Sequence, residues 1–439
     1  PWVEPKNADN SAATALLKGV PIGDTTAVGN ACDVPTGDVV GDVSVDAAAD
    51  ITLGVTAVAF KSATWAVGVA AGAAGLWRER GSIRAEVNQF GAGFRAQWPL
   101  WALLAVTWAY ALHILGQAFI TTAGGLDAGL AGVYGDWAAH LTFASSFAYG
   151  DNFPPQYPID PGHRMSYPFM VDFLAAELVP LGVSLPSALV LTSGLLMLAL
   201  PAVIYLAGFR LTGRRGGSAL GAVIFLCAGG FGFWNLLPDL QARGLSVLGH
   251  LPRLYTQDLD ANYQLLTPVL AYLVPQRSVL FGLPVALIAA ALLWTASRAE
   301  NPSRRTFLFT GIAVGLTPLF HVHGYGTALA LGGAWALHQR RRAWLWYLLP
   351  AALLGAPVVL WLLAGGGGSL RWLPGWYANL PPHQDGGLVF WLKNLGLFLP
   401  LLLVAQFWPG LLPNGFQLYF APLWLWFLVP NFVVFQPWE

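Results

Sequence analysis

From Trp98 onward the chain alternates long apolar runs with short polar breaks, and the runs predict helices rather than strands because most exceed the length of an ordinary strand. The candidate spans are Trp98 to Ile120, Pro186 to Phe209, Gly216 to Phe233, Ser278 to Ser297, Thr306 to Phe320, Gly324 to Leu337, Ala343 to Ala364, Leu388 to Trp408 and Gly415 to Phe435. A weaker run, Ile51 to Leu76, is interrupted by Lys61 and rich in Gly and Ala. Together they make about ten spans; those shorter than ~20 residues would need tilt or a thinned bilayer. The expected fold class is therefore all-α, a polytopic transmembrane helical bundle with a long first external loop, 121–185, and a second, 234–277. Ser166 to Gly182 carries Asp172 and Glu177 within an apolar pattern and is expected to lie as an amphipathic helix on the membrane surface.

Composition supports the membrane class. Of 439 residues, 56% are hydrophobic and only 10% charged, which is far from an ordinary soluble domain. The formal net charge is zero and there is no basic footprint for nucleic acid. Cys32 and Cys227 are the only cysteines, too few for a disulfide framework. No P-loop, thiol-nucleophile or Ser-His-Asp motif is present. Residues 1–50 differ from the rest: polar, with Asp38, Asp42, Asp46 and Asp50 at a spacing that opposes a helix. They are expected to form a loosely ordered or extracytoplasmic segment, and 51–439 a single membrane module that continues beyond Glu439.

The distribution of charge fixes a topology. One alternation of spans puts Arg78 to Arg95, Arg210 with Arg214 and Arg215, Arg298 with Arg304 and Arg305, and Arg340 to Arg342 on one face, which the positive-inside rule makes cytoplasmic. The opposite face receives both long loops, the His321-Val322-His323 turn and the glycine-rich segment from Gly365 to Asp385. The alternation requires that Ser166 to Gly182 does not cross.

Chemistry concentrates in Tyr134 to Pro168, which carries Asp136, His140, Asp151, Asp160, His163 and Arg164 between apolar segments. Gly135-Asp136-Trp137 with His140, Asn152-Phe153-Pro154-Pro155, Tyr167-Pro168, Pro275-Gln276-Arg277, Pro318-Leu319-Phe320-His321-Val322-His323 and Phe435-Gln436-Pro437-Trp438 together resemble a branch of bacterial and archaeal membrane proteins of the GT-C glycosyltransferase fold. The resemblance covers Trp98 to Glu439. It implies a multi-pass enzyme of the plasma membrane and cell envelope whose active site faces away from the cytoplasm, transferring a sugar from a polyprenyl-phosphate-linked donor. Its partners would be that sugar lipid and the surrounding membrane lipids, without nucleic acid.

An inverting transfer needs a carboxylate to remove the acceptor proton, and Asp136 is the candidate base. It shares a helical face with His140 at i, i+4, which would orient it or bind substrate. The alternative for Asp136 is a helix cap. Arg277, at the start of a span, is the candidate phosphate contact, with Gln276, Tyr134, Arg164 and Arg253 also substrate-binding; the plainer reading of Arg277 is a snorkelling anchor. His321 and His323 could hold a divalent metal (Mg, Mn or Zn) with Asp136 or His140, or simply satisfy a helix end. Two other functions compete: a transporter of lipid-linked or small polar substrates, and a structural subunit with partner membrane subunits.

Overall fold

A computed structural model describes residues 97–439, apart from 124, 151, 161, 254, 265–266, 366–368, 377, 380–382, 409, 411–414 and 437–439, together with a few helical positions between 70 and 81. The expectations for residues 1–50 and for most of the run Ile51 to Leu76 fall outside the described residues.

The chain is predominantly helical. After α1 (Trp98–Gly116) come a small antiparallel hairpin, β1 (Phe119–Thr122) and β2 (Gly125–Ala128), then α2 (Ala131–Ala148) and the short α3 (Met170–Ala176). The long α4 (Leu185–Thr212) is followed by α5 (Arg215–Cys227) and α6 (Leu236–Arg243). The second half is α7 (Val279–Arg298), α8 (Arg304–Leu316), α9 (Val322–Gln339), α10 (Leu345–Gly365), α11 (Gly387–Leu395), α12 (Phe398–Phe407) and α13 (Ala421–Phe432). Strand β3 (Ser369–Trp372) pairs antiparallel with β4 (Val433–Gln436), so the expected span Gly415 to Phe435 ends in a strand on the glycine-rich loop.

Among the described residues, four helices are long and apolar enough to cross a membrane: Trp98–Gly116, Leu185–Thr212, Val279–Arg298 and Arg342–Ala364. Counting each of two bent pairs as one span makes six: Arg215–Cys227 with Phe231–Leu248, bent by 70°, and Gly387–Leu395 with Phe398–Phe407, bent by 105°. The chain is thus a multi-pass membrane type.

Local chemistry sets the ends of α4. The Ser184 hydroxyl accepts from the Ser187 N–H, Pro186 occupies the first turn, and Gly213 closes the helix at φ 69°. Helices α1 and α4 run antiparallel: Leu100 and Leu104 pack with Tyr205 at one end, Trp108 Nε1 donates to Leu198 O at 2.7 Å, and Leu115 lies over Gly194 at the other. Helices α9 and α10 join by a reciprocal contact. Tyr347 donates to Ala328 O at 2.7 Å while its ring covers Gly332, and Tyr325 donates to Ala351 O at 3.3 Å while its ring covers Gly355. A Cβ on either glycine would stand within 2.1–2.4 Å of a ring atom, so only hydrogen fits.

These contacts bring the turns at Arg298–Arg305 and Arg340–Arg342 together at one end. Arg341 donates to Ser297 O at 3.0 Å, tying the α9–α10 turn to the end of α7. Trp294, Trp335 and Trp344 form the aromatic core beside it. The other end receives α2, α3 and the His321 turn.

Candidate functional site

At that second end, Trp137, Phe143, Phe147, Met165, Phe169 and Phe173 bury α2 and α3 against the first turns of α4 and α7. Helix α2 begins at Ala131, directly after the hairpin, and its N-cap position is Leu130 with no side-chain cap. Asp136 is therefore in the second turn and does not cap the helix. Its carboxylate, partly buried, accepts from Gln276 Nε2 at 3.2 Å. One residue on, Trp137 Nε1 donates to Val274 O at 2.8 Å, which fixes this face of α2 against the chain entering α7.

Behind Asp136 lies a buried charged network. Arg277 and Asp172 are each 0% exposed and His140 is 3% exposed. One guanidinium nitrogen, Nη1, pairs with Asp172 Oδ1; Nε donates to Ser193 Oγ at 2.9 Å and Nη2 to Thr192 Oγ1 at 2.8 Å. The other side of Asp172 is taken by His140 Nδ1, 2.9 Å from Oδ2. Ser193 stands about eight residues past the start of α4, roughly 12 Å along the helix, so the network is set into the bundle rather than on its rim. Burial opposes the charge of Arg277 and lowers its pKa from the ordinary value, while Asp172 and Tyr167 pull it back. Tyr167 stacks edge-on to His140 with ring centroids 5.9 Å apart. Its hydroxyl is pushed up to about 12, by burial first and then by Asp172, with a hydrogen bond to Ser278 working the other way. Tyr167 thus stays a neutral phenol.

The segment expected to lie as an amphipathic helix on the membrane surface holds α3, whose seven residues are too few to cross a membrane, as the topology required, and whose acid-bearing side packs into the protein. Val171, Asp172, Phe173, Ala175 and Ala176 are all buried, and Glu177 is 7% exposed.

The structure therefore joins Asp136, His140, Gln276 and Arg277, and adds Asp172, Ser193, Thr192 and Tyr167, which the sequence did not mark as site residues. Arg277 has its three nitrogens engaged by neighbouring side chains, an arrangement that holds protein together rather than waiting for an outside phosphate. Tyr134 lies in the first turn of α2. Arg164 is exposed on the loop before α3, where its backbone bridges to Gln156. Arg253 is clamped by Asp239, at 3.0 Å from Nε, with Tyr255 donating to the same carboxylate at 2.8 Å. Neither Arg164 nor Arg253 joins the Asp136 group among the described residues.

The histidine turn packs onto the same stretch of α7. His321 is the N-cap of α9, its Nδ1 accepting from the Gly324 N–H at 3.0 Å. The ring rests on Gly282, where a Cβ would come within 2.2 Å of Nδ1. Burial and then His323 bring His321 down to about 4, so it is neutral and able to accept. The two rings have centroids 5.5 Å apart. Among the described residues no three His, Cys, Asp or Glu side chains gather to hold an ion, and the Nδ1 of His321 is already committed to its cap. The donor set for the expected divalent metal is thus not assembled among these residues.

No protein-family model, curated protein or solved structure matches this chain. Its own residues and their geometry therefore carry the functional assignment.

Proposed function

We propose that the chain is an integral membrane glycosyltransferase of the GT-C kind, with about ten crossings and its site at the end of the bundle away from the arginine-bearing turns at Arg298–Arg305 and Arg340–Arg342. In this reading a sugar passes from a polyprenyl-phosphate-linked donor to an acceptor hydroxyl on the non-cytoplasmic face of the plasma membrane. One observation carries it: a single partly exposed carboxylate, Asp136, held by Gln276 directly outside a fully buried Asp172–Arg277–His140 network.

The roles follow from that layering. An ionised carboxylate only accepts hydrogen bonds, and Gln276 occupies one of its oxygens, which leaves the group oriented and the remaining lone pairs free for an acceptor hydroxyl. Arg277 becomes a positioning residue. By fixing the backbone of the adjacent Gln276 through Asp172, Ser193 and Thr192, it fixes Asp136 in turn. His140 holds Asp172 from the other side and is likewise a positioning residue. The donor phosphate then needs a contact other than the engaged guanidinium of Arg277.

The test uses the full chain in lipid nanodiscs with a set of short polyprenyl-phosphate sugars, reading release of polyprenyl phosphate. Wild type should release it and Asp136→Asn should lower the rate at least a hundredfold with an unchanged melting temperature. Equal rates for the two proteins would remove Asp136 from the chemistry, and with it the reading.

A secondary transporter is the second reading, favoured by the buried Asp172–Arg277 pair, since ionisable groups inside the bundle mark ion or substrate paths in such proteins. Uptake of a labelled solute into proteoliposomes that is lost in Asp172→Asn but kept in Asp136→Asn would select it.

A further inference from the structure

The opposite end of the molecule holds a cleft that the proposed site does not use. Its volume is about 360 Å³, within the ~300–1,000 Å³ of small-molecule sites, and it is lined by Asn301, Pro302, Arg304, Arg342, Ala343 and Trp346. Arg304 opens α8, and Arg342 opens the helical segment Arg342–Ala364. Those two helices run parallel and in register, Gly311 against Tyr347 and Pro350, Gly315 against Pro350 and Leu354, so their first turns stand side by side.

The charges at those turns have the wrong sign for the helices themselves. A helix N-terminus carries a partial positive charge and favours acids, yet the first turn of α8 holds Arg304 and Arg305 with no acid, and the turn at Arg342 also has none. The acid on the preceding loop, Glu300, does not line the cleft. Arg304 and Arg342 are exposed and form no ion pair among the described residues. The neighbouring arginines are engaged differently: Arg341 donates to Ser297 O at 3.0 Å and Arg298 lies 4.7 Å from the Trp294 ring. A general excess of positive charge on one face would account for the arginines, but not for a cleft whose lining includes two of them while Arg341 is committed to the Ser297 carbonyl.

We propose that this cleft binds a phosphate monoester or diester, with Arg304 and Arg342 taking the phosphate oxygens. Guanidinium groups match phosphate oxygens bidentately, and an anion there relieves the repulsion between each arginine and its own helix terminus. Trp346, 43% exposed on the rim, suits a phosphate carried by a membrane lipid, since tryptophan favours headgroup depth.

The test titrates the purified full chain in neutral detergent with short-chain phosphatidylglycerol, phosphatidylcholine and inorganic phosphate, counting bound molecules by native mass spectrometry. Phosphatidylglycerol should bind at least tenfold more tightly than phosphatidylcholine, whose quaternary ammonium opposes the arginines. Arg304→Gln with Arg342→Gln should cut phosphatidylglycerol binding at least tenfold, and Arg304→Lys with Arg342→Lys should retain most of it. Arg210→Gln with Arg214→Gln, which removes the same charge at the same end outside the cleft, should change it less than twofold. Displacement of the lipid by inorganic phosphate would assign the site to a free phosphate ester; persistence of the lipid would assign it to a headgroup. An equal loss in the Arg210 and Arg214 control, or no preference for phosphatidylglycerol, would overturn the proposal.

Discussion

Asp172→Asn is the sharpest perturbation of the buried network. Asparagine keeps the shape of the side chain and an oxygen for His140, but removes the negative charge that pairs with Arg277. The guanidinium is then left at 0% exposure with Ser193 and Thr192 hydroxyls as its remaining partners. Stranding one member of a buried ion pair costs about 3–5 kcal/mol. At the ~2–4 °C per kcal/mol of domains of 150–250 residues, the melting temperature should fall by roughly 6–20 °C. Arg277→Gln should also destabilise, because it leaves the buried Asp172 carboxylate with His140 as its remaining side-chain partner. The double variant Asp172→Asn with Arg277→Gln should be more stable than Asp172→Asn alone, with a coupling of about 2 kcal/mol or more. The assay is thermal unfolding of the detergent-solubilised chain followed by tryptophan fluorescence. A melting temperature for Asp172→Asn indistinguishable from wild type, or a double variant equal to the sum of its singles, would refute the claim that the pair is buried and mutually compensating.

The histidine turn gives two further expected outcomes. His321 is brought from 6.5 down to about 4, so the fold favours its neutral form; its contribution is complete above pH 6.5 and is lost as pH falls through 4. The melting temperature should therefore drop between pH 6.5 and 4 more in wild type than in His321→Asn, which keeps a side-chain acceptor for the Gly324 N–H but does not titrate. Gly282→Ala would put a Cβ at 2.2 Å from His321 Nδ1 and 2.4 Å from its Cβ, and should destabilise by about 1–3 kcal/mol in the same unfolding measurement, whereas Gly333→Ala, with nothing within 4 Å, should not.

The apolar pattern located the helices well where chain breaks coincide with polar residues. The run Pro186 to Phe209 corresponds to Leu185–Thr212 and Ser278 to Ser297 to Val279–Arg298, because Ser184, Gly213 and Arg298 punctuate both pattern and backbone. It failed where the break is made by small residues that hydropathy does not register. Gly216 to Phe233 and Leu388 to Trp408 look continuous, yet the chain turns at Gly229–Gly230 and at Gly396, whose φ of 56° is open to glycine. Each presumed rod becomes a bent pair; among the described residues four helices, or six spans with the pairs, are long and apolar enough to cross, which leaves the expected ten not shown. The site was half legible. The i, i+4 spacing did place Asp136 and His140 on one face, and that face meets residues 274–277. What the sequence concealed was that Asp172 folds inward, since an acid in an apolar run reads as the wet side of a surface helix until its partner, more than a hundred residues away, is known.

That inward turn bears on function more than on stability. A buried ion pair is a poor stabiliser, because the desolvation of both groups offsets most of their attraction and apolar side chains of similar volume would serve as well. A membrane bundle already has abundant apolar packing, so Asp172 and Arg277 add little that Leu and Met could not. Such a pair does add direction. Three donors of one planar group, aimed at α3 and at two adjacent residues of α4, fix the entry to α7 in rotation as well as position, and the next side chain out is Gln276 on the Asp136 carboxylate. On the proposed reading, the cost of burial at this end of the molecule is spent on orienting a carboxylate that is not itself buried, the arrangement a general base would require.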